Sequence, residues 1–456
     1  MTIGEKLRQS EKIQSLLNEL VNEVSNESAL IKGPRVALPE KEEVFKRLVE
    51  SVGSNRGRPL FYPYVGSGAG RGPYVELEDG SVKLDLINGI GIHIFGHSHP
   101  RVMAAAVRGA LSDSVIQGNL QPNVEYAKLG EKLVSLAGRH SRLRHVWITT
   151  SGSMANENAL KACRQKKTPA RKIIAMKGAF AGRTTMMAEI TDNPSFKQGL
   201  PEYHEVLRIP FYDKNSPRSG EESLKLLRQH IAENAGDICA FMFEPMQGEG
   251  GYNVAPREFF IPLLELCREN QIPIWLDEVQ TFCRTGEFFA FETLGLGEYV
   301  DVCTVAKAVQ VGATFFTSEM NPKPGLISGT FAGSSAALSA GLEILNMLEE
   351  GYMGAGGKVE HIHKEFVGML NELNETTCKD QLRDAGGLGL MVAVTPLDGS
   401  REQMIKLLHV LYKNGLMTFG CGKGPFKLRF LLPAILTTED IRVAKTIIEK
   451  SIQECL

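Results

Sequence analysis

No apolar run in the 456-residue sequence approaches the ~20 residues that a membrane-spanning helix needs, so no membrane partner is expected. No charge of one sign dominates either. The 51 basic and 53 acidic side chains leave a net charge of −2, which offers nucleic acid no electrostatic footprint. The eight cysteines stand singly, without a C-x-x-C pair. That argues against a disulfide framework and for free thiols in a reducing, cytoplasmic setting. The opening MTIGEKLRQSEKIQ lacks the apolar core of a signal peptide. A dinucleotide loop is missing as well: GSGAGRG at 66–72 has the wrong spacing and no helix after it, and is read as a flexible turn. GCGKGP at 420–425 misses the phosphate-loop pattern in the same way.

What is present is an alternation of short apolar runs with amphipathic stretches. RHVWITT precedes SMANENALKACRQKK; RKIIAM precedes a turn; DICAFMFEP precedes REFFIPLLELCREN, which leads into IPIWLDE. Strands apolar throughout imply a sheet covered on both faces, and strand alternating with helix implies an α/β fold with a mostly parallel sheet. Ligands of such sheets lie beyond the carboxyl ends of the strands. Asp277, Glu244, Gly152 and Lys307 all fall at or just after apparent strand ends, so one shared pocket is expected. The polar, helical pattern of residues 1–60 predicts an arm. Residues 91–344 read as a large α/β domain, and 61–90 with 345–456 as a smaller α+β domain. MGAGGK at 353–358 lies near the boundary.

Lys307 interrupts the apolar VDVCTVAKAV, and Asp277 ends the apolar IPIWLD. Lysine and aspartate are rarely buried unless paired. An amine in an apolar setting has its charged form disfavoured and becomes a better nucleophile toward carbonyls. Taken alone, Lys307 could snorkel to water and Asp277 could cap a helix. Together they suggest a pyridoxal phosphate site, with the lysine on the cofactor's aldehyde and the carboxylate on its pyridine nitrogen. In TTSGSMANENAL a strand, Ser151-Gly152-Ser153 and a helix follow one another, which suits a phosphate at a helix N-terminus. An ordinary serine cap would read the same way. His93, His97 and His99 in HIFGHSHP have no cysteine or acidic ligand alongside them in sequence, and no metal is expected.

Seven ordered segments resemble the class III pyridoxal-phosphate aminotransferases of the ornithine, acetylornithine and 4-aminobutyrate type. They are LDLINGIGIHIFGHSHPRV, SGSMANENA, FAGRT, FEPMQGEGG, WLDEVQTFCRTGEFFAFE, GTFAGSSAAL and KLRFLLPAILTTEDI, and they run from about residue 60 to the C-terminus. The resemblance implies a fold-type I pyridoxal-phosphate-dependent transferase, with a large mostly parallel-sheet domain and a smaller α+β domain. It implies that Lys307 forms the Schiff base, Asp277 partners the ring nitrogen, Gln280 lies near the phenolic oxygen and Phe180 stacks on the ring. Gly152 and Ser153 would hold the phosphate. Thr330 would reach that phosphate from a neighbouring subunit, which implies a homodimer with shared sites. Arg429 would bind an α-carboxylate and Arg183 a second carboxylate. Glu249 would pair with Arg429 and mask it, and Glu244 would be structural.

The implied reaction passes the amino group of an ω-amino acid to 2-oxoglutarate. A mutase, epimerase or decarboxylase on the same scaffold, or a non-catalytic scaffold protein, are the alternatives. Two departures from the family pattern, AVQVGATFFT after Lys307 and Ala181 where the family has histidine, fall on the substrate side of the ring.

Overall fold

The apolar runs become strands because each is β-branched or aromatic and too short for a helix. Val302–Val305, Ile274–Asp277 and Ile238–Phe243 are buried at every position, as strands covered on both faces must be. A computed structural model of the chain, describing residues 1–118, 120–216 and 218–456, sets them in a seven-stranded sheet. Its spatial order is His145–Thr149, Gly312–Phe316, Val302–Val305, Ile274–Asp277, Ile238–Phe243, Lys172–Met176 and Val206–Ile209. Gly312–Phe316 runs antiparallel to both of its neighbours, and the remaining pairs are parallel. This is the mostly parallel α/β sheet expected. The carboxyl ends of six strands therefore lie along one edge, and that edge holds the site.

The Gly152–Lys166 helix starts directly after one of these strand ends. Ser151 caps it by accepting from the Met154 N–H at 3.3 Å. On its sheet-facing side it buries Ala155, Asn156, Ala159, Leu160 and Cys163.

Two further four-stranded sheets follow, the first of which joins the two ends of the chain. The strands Gly66–Arg71, Tyr74–Leu77 and Val82–Asp85 are antiparallel, and the distant Leu416–Met417 adds to them in parallel. The second sheet comprises Leu382–Leu388, Met391–Pro396, Lys427–Leu431 and Phe419–Cys421. Helices Lys358–Glu375, Arg401–Lys413 and Thr438–Cys455 accompany it. Ahead of all this lie the helices Ile3–Arg8, Glu11–Ser28 and Glu42–Asn55.

GSGAGRG is a strand and not the turn expected. Glycine's poor strand propensity misleads here, because a close approach decides the matter. A Cβ at Gly70 would lie 2.4 Å from His97 Cβ and 2.8 Å from the Tyr74 carbonyl oxygen. The missing side chain lets the hairpin pack against the 93–99 segment. That segment also gains the acidic neighbour its sequence lacks: His97 Nε2 lies 2.9 Å from Asp85 Oδ2.

Candidate active site

Asp277 is the last residue of its strand and lies in register with Thr304 on the next. Three residues beyond Thr304 the chain turns at Lys307, whose φ of 55° lies in the left-handed region, as does that of Gln310 at 65°. Such a conformation is uncommon outside glycine and persists only where the surroundings hold it. Lys307, Asp277, Ser151, Gly152 and Ser153 line a single cavity of about 460 Å³.

Burial pushes the Lys307 amine down to about 8, with help from the guanidinium groups of Arg284 and Arg429 and against the pull of Glu249 and Asp277. Burial pushes Asp277 up to about 6, while hydrogen bonds from the Val279 N–H and Asn156 pull it back. Each group is held close to the pH at which it exchanges a proton, which is common where chemistry is done.

Phe180, Gln280 and Glu244 line the same cavity. Glu244 accepts from the Phe180 N–H at 3.0 Å and the Gly248 N–H at 2.9 Å, and so fixes the loop that carries Phe180. Burial, then the nearby Asp277, raises its pKa to about 8. Arg429, on the strand Lys427–Leu431, is 1% exposed and donates through Nη1 to Glu249 Oε1 at 2.5 Å. Glu249 lines the cavity, and Arg429 lies directly behind it.

Two of the residues singled out lie elsewhere in a single chain. Arg183 is exposed, with its guanidinium 3.8 Å from the centre of the Phe196 ring. Thr330 is exposed beside Phe331 and lines neither this cavity nor the one next to it.

Three buried polar residues that sequence reasoning did not single out support the site. Asn156 donates to Asp277 Oδ2 at 2.6 Å and to the Ala181 carbonyl at 2.7 Å, and accepts from Thr304 Oγ1 at 2.6 Å. Arg284 is 1% exposed and donates to the carbonyls of Gln280 at 3.1 Å, Phe282 at 3.2 Å and Gly91. Glu278, next to Asp277, faces the interior and accepts from Ala290 N–H at 2.7 Å and Phe291 N–H at 2.9 Å. Adjacent carboxylates on a strand point to opposite faces, so only Asp277 meets the cavity. A buried asparagine in a helix is the one signal that could have flagged Asn156 beforehand.

These residues fit a bound pyridoxal phosphate. The cavity has an amine, a buried carboxylate able to meet a cation, and a helix N-terminus for an anion. Gln280 Oε1 is buried with no hydrogen-bond partner among the described residues. Small residues also keep the cradle open. A Cβ at Gly152 would come within 2.7 Å of Val279 Cγ1, and one at Gly182 within 2.3 Å of Ser153 Oγ.

The comparisons with known proteins agree. The family described as aminotransferase class-III matches residues 57–452. An acetylornithine aminotransferase of Methanocaldococcus jannaschii is 32% identical over 385 residues, covering 82% of this chain and 89% of the relative. A 5-aminovalerate aminotransferase of Pseudomonas aeruginosa is 30% identical over 436 residues, covering 91% of this chain and 98% of the relative. Among solved structures, a lysine aminotransferase from M. tuberculosis superposes with a TM-score of 0.80 at 22% identity, covering 90% of this chain and 100% of the other. An ornithine aminotransferase from Toxoplasma gondii gives a TM-score of 0.74 at 24% identity, covering 86% and 91%. The fold is thus the fold-type I architecture expected, and the chain belongs to the class III aminotransferases, which are pyridoxal-phosphate-dependent enzymes.

Proposed function

We propose that this enzyme moves the amino group of an ω-amino acid, of the acetylornithine, ornithine, lysine or 4-aminobutyrate class, to 2-oxoglutarate. The observation that carries this reading is the convergence of Lys307, Asp277 and the Ser151-Gly152-Ser153 turn on one cavity at neighbouring strand ends. Pyridoxal phosphate, when bound, supplies an electron sink for the substrate carbon that bears the amine.

In this reading Lys307 would anchor the cofactor, and its free amine would take the proton from that carbon and return it. An amine held near 8 can do both. Asp277 would favour positive charge on the ring nitrogen, Phe180 would cover the ring face and Gln280 would meet the phenolic oxygen. Gly152 and Ser153 would hold the phosphate, with Thr330 of a second copy. Arg429 takes the α-carboxylate of 2-oxoglutarate through the planar fork that suits carboxylates, and Arg183 takes the second carboxylate. Glu249 occupies Arg429 while an ω-amino donor is bound.

The dimer is supported by the exposure of Thr330 and of Phe331, the latter at 64%. A cytoplasmic setting is supported by the eight free, buried thiols. No helix among the described residues is long and apolar enough to cross a membrane.

The test is the visible spectrum of the purified holoenzyme with single amines and no acceptor. The cofactor band should bleach with an ω-amino acid and return with 2-oxoglutarate, and Lys307→Ala should abolish the cycle. Conversion of a substrate without consumption of any acceptor would instead identify a mutase, epimerase or decarboxylase.

A further inference from the structure

Beyond Glu249 the cleft continues into a second cavity of about 300 Å³, and Phe180 and Glu249 belong to the walls of both. The outer cavity is lined by Phe61, Phe196, Met404, Leu408, Phe419 and Phe426. Its rings support one another: Phe61 and Phe419 centroids lie 5.2 Å apart, and Phe196 meets Phe180 edge-on at 6.1 Å. Phe61 nevertheless remains 42% exposed at the rim. Aromatic surface held open to water beside a catalytic cleft is what an apolar ligand covers.

The charges at this cavity are unequal. Lys423 lies 2.9 Å from Asp192 and is neutralised by it. Arg401, the first residue of the Arg401–Lys413 helix, is exposed and makes no ion pair with a described residue. Methylenes laid against these rings gain by burial, while Thr191 Oγ1 and Asn193 Oδ1, which also line the cavity, are already engaged by the chain's own groups.

We infer that the donor is an ω-amino acid whose chain is apolar and longer than that of 4-aminobutyrate, lying against Phe61, Phe196, Met404 and Phe419 with its carboxylate at Arg401. This rests on the transamination reading and narrows its donor. The amine reaches Lys307 past Phe180 and Glu249, the chain fills the outer cavity, and the guanidinium at the rim receives the far end. The length of the chain, not its reacting end, then sets the preference.

The test uses the holoenzyme with 2-oxoglutarate as acceptor and 4-aminobutyrate, 6-aminohexanoate and 8-aminooctanoate as donors. It is run beside Ile405→Glu, which puts a charge into the same cavity, and the surface variant Arg401→Gln. In the unaltered enzyme kcat/KM should rise along the series, with 8-aminooctanoate at least about tenfold above 4-aminobutyrate, the worth of even one well-buried methylene. That ratio should collapse toward one in Ile405→Glu. In Arg401→Gln the KM for 8-aminooctanoate should rise relative to that for 4-aminobutyrate. Calorimetric binding of octanoate, which cannot react, should weaken in Ile405→Glu as well.

A preference for 4-aminobutyrate in the unaltered enzyme, or a ratio unmoved by both substitutions, would overturn the inference and leave the transaminase reading standing. Failure of every ω-amino acid to react would overturn both.

Discussion

Asn156 holds Asp277 by a 2.6 Å hydrogen bond to Oδ2, and Asn156 is itself fixed by the Thr304 hydroxyl and the Ala181 carbonyl. The carboxylate that faces the cavity is thus aimed by the helix Gly152–Lys166, the same helix whose N-terminus meets the Ser151 turn. Asn156→Ala removes a hydrogen bond to a buried charge, worth about 1.5–3 kcal/mol. That bond lowers the Asp277 pKa, so its loss should raise it. The expected outcome is a roughly 10- to 100-fold fall in kcat, with the acid limb of the pH–rate profile moved to higher pH. A purely structural role for Asn156 would reduce the rate without moving that limb.

Arg284 carries a buried charge whose hydrogen bonds go only to carbonyls. Among the charges acting on Lys307 it lowers the amine most, ahead of Arg429, while Glu249 and Asp277 raise it. With a pKa of about 8, roughly a tenth of the amine is neutral at pH 7; an ordinary lysine at 10.5 would leave about one part in three thousand. In cofactor-free protein, Arg284→Gln should raise the pH midpoint for labelling of Lys307 by an amine-selective reagent and slow labelling at pH 7. A slower rate with an unchanged midpoint would show that Arg284 acts only by tying Gly91 to the Gln280 turn.

The legibility of these residues in sequence differed for physical reasons. Lys307 and Asp277 could be read because a charge at the end of an apolar run is costly and needs a reason. The mostly parallel sheet could be read because strands buried on both faces lose their alternation. Arg284 gave no such signal: it binds backbone carbonyls, one of them at Gly91, and carbonyls carry no sequence identity. Arg183 and Thr330 match family motifs, yet neither lines the cavity of a single chain, and a motif match carries no geometry. The 66–71 strand was hidden because Gly70 answers to contacts with His97 and Tyr74.

Removing Glu249 should expose the cost of burying Arg429. The arginine side chain is 2% exposed and its partner 29%. Breaking a buried pair from one side leaves an uncompensated charge, at about 3–5 kcal/mol for full burial. Glu249 is partly exposed, so Glu249→Ala should fall at or below the lower end of that range. The holoenzyme's thermal midpoint should drop, and saturating glutarate should restore more of it in the variant than it adds to the unaltered protein, because a ligand carboxylate re-pairs Arg429. Equal shifts in the two proteins would mean that Arg429 is not the carboxylate's partner.

Cofactor removal should change how stability depends on pH. Burial raises Asp277 to about 6, Glu278 to about 7 and Glu244 to about 8, from ordinary values of 3.8, 4.5 and 4.5. Across that window the folded chain holds more protons than the unfolded one, so stability falls as pH rises from about 4 to about 8. Lys307 works in the opposite sense and higher up. Its pKa is lowered from 10.5 to about 8, so the folded chain holds fewer protons in that window and stability rises with pH through it. The cofactor-free thermal midpoint should therefore decline from pH 5 to about pH 8, and above that the eight buried thiols, all raised from their ordinary value, work against Lys307. A cationic ring nitrogen against Asp277 would offset part of the carboxylate cost, so in the proposed reading the holoenzyme should decline less steeply. Asp277→Asn should flatten the cofactor-free slope in the acid half of the range. Equal slopes with and without cofactor would show that no cation meets Asp277.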